Sequence, residues 1–345
     1  MGEGAGSSKV LLTGGAGFIG SHTCVELMAA GFEPVILDNL CNSDASVLDR
    51  LQRLGGEPVP FVHTDVRDAA ALRDVFRRWR FSSVVHFAGL KSVSDSVSHP
   101  LEYYDNNVVG ALRLIEAMQE AGVKRLVFSS SATVYGVPER VPIAEDAPLR
   151  PTNPYGRSKL MVENILSDLA RADPGWQVLL LRYFNPVGAH ESGLIGEAPS
   201  GVPANLMPFM AQVAAGVRRE LNVYGNDYPT QDGTGVRDYI HVMDLAEGHV
   251  AAVRHVLDCA LAGARAINLG TGRGYSVLEV VRAFEQASGR RIPMRMTTRR
   301  EGDVAACYAQ PGVALQVLGW KARRTLQAMC EDAWRWQSMD PGRGP

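Results

Sequence analysis

The chain has 345 residues, 46% of them hydrophobic, with 35 Lys and Arg against 37 Asp and Glu for a formal net charge of -2. That length buries one large core or two smaller ones. The near-neutral balance gives no electrostatic reason to expect nucleic acid or an anionic membrane as partner, so any anionic ligand must meet local positive groups. The cysteines, Cys24, Cys41, Cys259, Cys307 and Cys330, are scattered and form no C-x-x-C pair. This argues against a disulfide framework or a zinc knuckle and for a reduced, cytoplasmic setting. No two histidines stand at metal-ligand spacing, so no metal is expected. Residues 1–8 lack the basic start and apolar run of a signal peptide, and Gly6 sits where myristoylation needs Ser or Thr. They read as a flexible tail, and no run of about 20 apolar residues follows.

Lys9 to Thr13 is a β-branched and Leu run that ends in Gly14-Gly15-Ala16-Gly17-Phe18-Ile19-Gly20, ahead of a helical stretch from Ser21 to Ala30. Strand, glycine turn and helix is the order a dinucleotide site needs. Strand candidates follow at Pro34–Asp38, Phe61–Thr64, Val84–Phe87, Leu126–Ser129 and Gln177–Phe184, separated by helical segments near 46–54, 69–79, 101–121 and from Tyr155. The strands are apolar runs rather than strict alternations, as expected where helices cover both faces of a parallel sheet. The fold class is therefore α/β, a Rossmann-type doubly wound parallel sheet over residues 9–185. From about residue 186, Gly- and Pro-punctuated loops suggest a smaller substrate-binding α/β lobe over 186–345, interleaved with segments near 236–270 that return to the first domain. Ala264–Leu269 looks like one such core strand. Ser276 to Glu279 is a capping box opening a helix that ends at Gly289. Tyr308 to Gly319 reads as irregular, and a final amphipathic helix is expected from Thr325 to Ser338.

The glycines Gly14, Gly17 and Gly20 let a pyrophosphate approach backbone N–H groups at a helix N-terminus, where the dipole favours anions. Asp38, ending the second strand, can accept both ribose hydroxyls of an adenosine and would repel a 2′-phosphate, which favours NAD over NADP. Asp65 can hydrogen-bond the adenine or be a loop acid without a role. Phe87, Ala88 and Gly89 form a turn with small residues where the dinucleotide would pass, and Lys91 is either a solvated residue or an anion contact. Tyr155 and Lys159 stand four apart on a helix, so phenol and ammonium share one face. A cation beside a phenol favours the phenolate and draws its pKa toward neutrality. Such a pair also arises by chance on surface helices. Ser131, just past the fifth strand on the sheet's carboxyl edge, brings a third polar group to the same place.

These segments, with Arg182-Tyr-Phe-Asn-Pro186, Asn205-Leu-Met-Pro208, Gly225-Asn-Asp-Tyr228, Gly233 to Val242 and Arg299 to Asp303, resemble the UDP-galactose 4-epimerase family of the extended short-chain dehydrogenase/reductase superfamily. The resemblance spans nearly the whole chain. It implies a tightly held NAD and UDP-hexose substrates epimerised at C4′ through a 4-keto sugar. Tyr155 is then the base, Lys159 holds the nicotinamide ribose and lowers the tyrosine pKa, and Ser131 bonds the 4′-oxygen. It further implies cofactor contacts at Phe18, Ile19, Asn39, Asn42, Ser43, Val66, Asn106 and Tyr183 besides the residues already named. Substrate contacts are implied at Lys91, Phe184, Asn185, Asn205, Leu206, Asn222, Val223, Tyr224, Arg237, Arg300, Asp303 and Cys307. Arg237 and Arg300 suit a diphosphate, which guanidinium pairs bidentately, although ordinary surface arginines read the same way. A homodimer through the helices near 101–121 and 155–172 is likewise implied.

Some positions depart from the pattern: Phe18 for tyrosine, Arg157 for lysine, and Ala204 for asparagine. Cys307 stands where some relatives carry tyrosine, and its smaller side chain leaves room for a 2-acetamido group, so UDP-N-acetylgalactosamine is expected as a substrate too. A nucleotide-sugar 4,6-dehydratase would share the cofactor site but place Asp-Glu after the serine or threonine, where this chain has Ala132-Thr133. A non-catalytic dinucleotide sensor need not keep Ser131, Tyr155 and Lys159 together.

Overall fold

The computed structural model describes residues 8–199, 201–258, 263–300 and 302–339. Residues 1–7 of the expected tail, and Cys259, lie outside the described residues. In chain order the first half runs β1 (Lys9–Thr13), α1 (Phe18–Ala29), β2 (Glu33–Asp38), α2 (Ser46–Gly55), β3 (Phe61–His63), α3 (Ala69–Arg78), β4 (Ser83–His86), α4 (Val93–Ser98), α5 (Pro100–Tyr104), α6 (Gly110–Glu120), β5 (Arg125–Ser131), α7 (Pro154–Ala172) and β6 (Gln177–Tyr183). The second runs β7 (Asn185–Val187), α8 (Leu206–Ala214), β8 (Leu221–Tyr224), β9 (Val236–Arg237), β10 (Tyr239–His241), α9 (Val242–Asp258), β11 (Gly263–Leu269), β12 (Tyr275–Ser276), α10 (Val277–Ser288), β13 (Met294–Thr297), β14 (Ala306–Cys307), α11 (Gly312–Leu318) and α12 (Leu326–Met339).

Seven parallel strands form the central sheet in the order β11-β6-β5-β4-β1-β2-β3. Strand side chains alternate between faces, and this one sheet feeds two cores. Val10, Leu12, Ile36 and Val85 join α1 and α9 on one face, while Leu11, Val35, Leu37 and Val84 join α3 and α6 on the other. Both sets are fully or almost fully buried, and each such side chain contributes about 1.5–3 kcal/mol relative to exposure. The expected strand at 264–269 is β11, at the sheet edge beside β6. A third core gathers Met210, Val223, Val281, Phe284 and Met329 from α8, β8, α10 and α12.

Local signals act as read. Asn153 caps α7 through Gly156 N at 2.8 Å, with Pro154 in the first turn. Ser276 and Glu279 form the full capping box of α10, which stops at Gly289 in the left-handed conformation. Two expectations change. The stretch read as irregular contains α11, a short helix that Pro311 and Gly312 disguised as loop. The single helix expected over 101–121 is divided into α5, a π-turn at Asp105–Val109, and α6. At the π-turn's end sits Gly110, where a Cβ would lie 2.7 Å from Val66 Cγ2.

Candidate active site

The glycine loop shows why its residues are small. Gly14 has φ +70°, and a Cβ there would lie 2.5 Å from Ala88 N; at Gly20 a Cβ would lie 2.5 Å from Gly14 O. Gly17 caps α1 without any side-chain hydrogen bond, and no acid occupies the first turn. The N–H groups of that turn, including those of Ile19 and Gly20, are thereby left for an anion. Asp38 is buried, and its carboxylate accepts Ala16 N (3.1 Å), Leu40 N (2.9 Å) and Ser43 Oγ (3.0 Å). A carboxylate offers about four acceptor sites, so a ribose at Asp38 shares it with these three donors. Asn39 Nδ2 donates to Asp65 at 2.8 Å, and Arg67 clamps the same carboxylate, holding it well below the usual carboxylate range. Asn42 is exposed. Val66 is buried in the core, so only its backbone can reach a ligand.

The catalytic candidates come from β5 and α7. Ser131 Oγ accepts Thr133 N (3.2 Å) and Thr133 Oγ1 (3.0 Å). With its acceptor positions filled, its own proton is free to turn toward Tyr155, whose ionised form it favours. Burial raises the Tyr155 pKa, opposed by the Ser131 hydrogen bond and by the charge of Lys91. Lys159 is buried, donates to Ser129 O at 2.7 Å, and stands 6.0 Å from the Tyr155 ring centre. Burial lowers its pKa to about 8, with Glu163 opposing. In the protein alone Lys159 is turned to the carbonyl of Ser129, and Lys91 supplies a further positive charge that favours the phenolate of Tyr155. Gly89 is small because a Cβ there would sit 3.3 Å from Asn107 Oδ1 and 3.5 Å from Lys159 Nζ.

Several supporting contacts join residues that no single motif connects. Asn106 donates to Asn107 (3.0 Å), which bonds Leu90 N (2.8 Å), Leu90 O (3.0 Å) and Ser158 Oγ (3.0 Å), fixing the Lys91 loop to α7. Glu163, one turn beyond Lys159, accepts Ser130 Oγ and pairs bidentately with buried Arg182 at 3.0 and 2.7 Å. This pair ties β5, β6 and α7 together behind the catalytic triple. His249 Nδ1 donates to Leu245 O (2.8 Å), so its Nε2 accepts the Tyr183 hydroxyl, and its ring lies 4.9 Å from that of Phe87. Asn106, Tyr183 and Phe87 are expected cofactor contacts and Arg182 opens one of the resembling segments, but the sequence does not pair them with Asn107, Glu163 or His249.

The remaining predicted residues come from the second half of the chain. Pairing of β9 with β14 sets Arg237 opposite Cys307, and Arg237 reaches Val304 O (2.8 Å) and Asp303 (3.3 Å). Cys307 packs against the apolar cluster that includes Phe184 and Ala132, the latter next in sequence to Ser131. The Arg300 guanidinium lies 3.8 Å from the Tyr224 ring centre. Asn205 and Lys91 both donate to Glu197 Oε1 at 3.0 Å. Leu206 opens α8, and Asn185 lies in β7. Along β8 the burial alternates: Asn222 and Tyr224 are partly exposed while Val223 points into the lobe's core, so Val223 can offer a ligand only its backbone.

A family model described as GDP-mannose 4,6 dehydratase matches residues 11–333. The UDP-glucose 4-epimerase of Bacillus subtilis (strain 168) is 59% identical over 95% of this chain and 96% of its own length. That of Bos taurus is 55% identical over 97% and 98%. The chain belongs to the UDP-glucose 4-epimerase family. Solved structures of that family agree in fold. The enzyme from Stenotrophomonas maltophila with bound NAD and formylated UDP-arabinopyranose has a TM-score of 0.95 at 52% identity, covering 97% of this chain and 99% of that one. The Bifidobacterium longum enzyme in complex with NAD+ and UDP has 0.94 at 52% identity, covering 97% and 100%. The dehydratase-named model spans the framework such enzymes share, but in this UDP-glucose 4-epimerase family member Ala132 and Thr133 follow Ser131, and the Thr133 hydroxyl is spent on that serine.

Proposed function

We propose that the protein is an NAD-dependent UDP-glucose 4-epimerase acting in galactose metabolism, interconverting UDP-galactose and UDP-glucose through a 4-keto sugar. The observation that carries this is buried Lys159, 6.0 Å from the Tyr155 ring centre and bonded to Ser129 O, two residues before Ser131 at the end of the parallel sheet. The uncapped start of α1 and the space kept free at Gly14 and Gly20 fit a dinucleotide. Gly14, Gly17 and Gly20 would hold its pyrophosphate, Asp38 the adenosine ribose, and Lys159 the nicotinamide ribose. When bound, NAD supplies the two-electron acceptor for C4′ and a positive ring beside the phenol.

Tyr155 as phenolate takes the proton of the 4′-hydroxyl and gives it back once the ketone has turned its other face. With the sugar bound, the single proton of Ser131 turns from Tyr155 to the 4′-oxygen, which carries the developing charge. Arg237 and Arg300 hold the diphosphate and Tyr224 the nucleotide end, so binding energy is spent away from C4′ while the sugar turns. Cys307, packed against Phe184, leaves room for a 2-acetamido group, so UDP-N-acetylgalactosamine is a substrate as well. Val97 (64% exposed), Leu101 (81%) and Met161 (43%) form an apolar surface across α4, α5 and α7, suited to a homodimer. No described helix is long and apolar enough to cross a membrane; with unpaired Cys24, Cys41, Cys307 and Cys330 this fits the cytoplasm.

Proton NMR of UDP-galactose incubated with the protein and no added NAD tests the reading. UDP-glucose should accumulate to an equilibrium mixture. A keto-deoxy sugar would mean a dehydratase, and an unchanged spectrum an inactive sensor.

A further inference from the structure

Segments far apart in sequence build the sugar-nucleotide pocket, and one buried carboxylate joins them. Asp238 is fully buried. Its Oδ1 accepts Thr271 N (2.8 Å) and Thr271 Oγ1 (2.6 Å), and its Oδ2 accepts Gly272 N (3.0 Å) and Ala309 N (3.1 Å). All four donors are neutral. Its backbone N–H donates to Cys307 O at 3.0 Å, and its carbonyl accepts Asn185 N at 2.9 Å. Arg237 is its neighbour in the chain. On one side of it β9 pairs with β14, and on the other β10 pairs with β7. Gly270 makes room for the carboxylate, since a Cβ there would lie 2.6 Å from Oδ2.

We propose that Asp238 is a positioning residue for the sugar-nucleotide pocket, the junction that sets Asn185, Arg237 and Cys307 at fixed distances from one another. The proposal rests on the functional reading above for the identity of the ligand. A buried carboxylate facing four donors is satisfied only while both oxygens accept. An amide of the same shape presents an N–H₂ to two of those donors, and one side of the junction loses its bonds. If the Oδ2 side yields, Ala309 releases the chain two residues beyond Cys307. If the Oδ1 side yields, Thr271 swings free of β9. Either way the spacing of Arg237 and Cys307 is relaxed. The glycine loop, Asp38 and Ser131 belong to the central sheet and Tyr155 and Lys159 to α7, and none of them is among the hydrogen-bond partners of Asp238.

The test is Asp238→Asn in the full chain, assayed for UDP-galactose turnover, for UDP affinity by calorimetry, and for NAD released on denaturation. Losing one or two buried hydrogen bonds predicts a rise of about tenfold in KM and in the UDP dissociation constant. kcat should stay within about twofold, with the NAD content unchanged, because the chemistry sits on other elements. Thr271→Val removes only the hydroxyl donor and carries the test if Asp238→Asn does not fold; a rise of a few-fold is expected, which Thr271→Ser should undo. Unchanged KM and UDP affinity in a variant that merely melts earlier would overturn the proposal, as would a fall in kcat at constant KM. If the unaltered protein binds UDP but does not turn over UDP-galactose, the functional reading fails while the UDP titrations still decide the role of Asp238.

Discussion

Ser131 ends β5 of a seven-stranded sheet, Tyr155 and Lys159 stand on α7 beside it, and the buried Glu163–Arg182 pair ties that helix to the sheet. Arg237 and Tyr224 stand on three- and two-stranded sheets, Arg237 paired with partly exposed Asp303 and Tyr224 covered by the loop residue Arg300. The first region is held by low-dielectric hydrogen bonds that leave little freedom, and the second by pairs of modest strength that can yield. Proton transfer needs the former, since a misplacement of an ångström costs orders of magnitude in rate. Holding a diphosphate while a sugar turns tolerates the latter.

The contrast can be broken in four places. Tyr155→Phe should lower kcat by about 10³-fold, the range of a positioned general base, with bound NAD unaltered; steady-state rates and the absorbance of released cofactor check it. Glu163→Gln should leave Arg182 buried without its counter-charge and cost about 3–5 kcal/mol of stability, read from urea unfolding, whereas no single change among the exposed arginines should approach that. Acid should attack the sheet side as well. Burial lowers the pKa of His86 to about 3 and of His249 to about 4. Both are neutral in the folded protein and bind protons more readily when unfolded. Their stabilising effect is therefore full above about pH 6.5 and is lost progressively as pH falls toward 4, by about 1 kcal/mol per group per pH unit; unfolding midpoints at pH 7 and pH 5 should differ accordingly. Cys307→Tyr is the smallest perturbation for UDP-galactose. Turnover of UDP-N-acetylgalactosamine should nonetheless fall by more than about tenfold, since an added ring takes the space of the acetamido group. Equal turnover by both forms would remove Cys307 from the pocket.

The parts of this molecule that could be read from the chain are those governed by local rules. The glycine loop, the apolar strands, the Ser276 capping box and the Tyr155–Lys159 spacing each follow from a few consecutive residues, and all stand where they were expected. What escaped is set by distance in sequence. Glu163 reads as an ordinary helix glutamate until Arg182 and Ser130 arrive from two strands. His249 is one more histidine until Tyr183 meets it, and the hydrogen bonds of Asp238 end on residues 33 to 71 positions away. Helical spacing reveals Lys159 as a cation beside the phenol but not Lys91, whose charge also acts on Tyr155 from a loop 64 positions earlier.

The claim that Tyr155 serves a reversible oxidation at C4′, rather than elimination or one-way dehydrogenation, is tested most directly with UDP-galactose carrying deuterium at C4′. NMR of the UDP-glucose formed should show the deuterium still at C4′, with no added NAD and no washout into solvent. Replacement of that deuterium by solvent hydrogen, or its loss with formation of a stable keto sugar, would contradict the account.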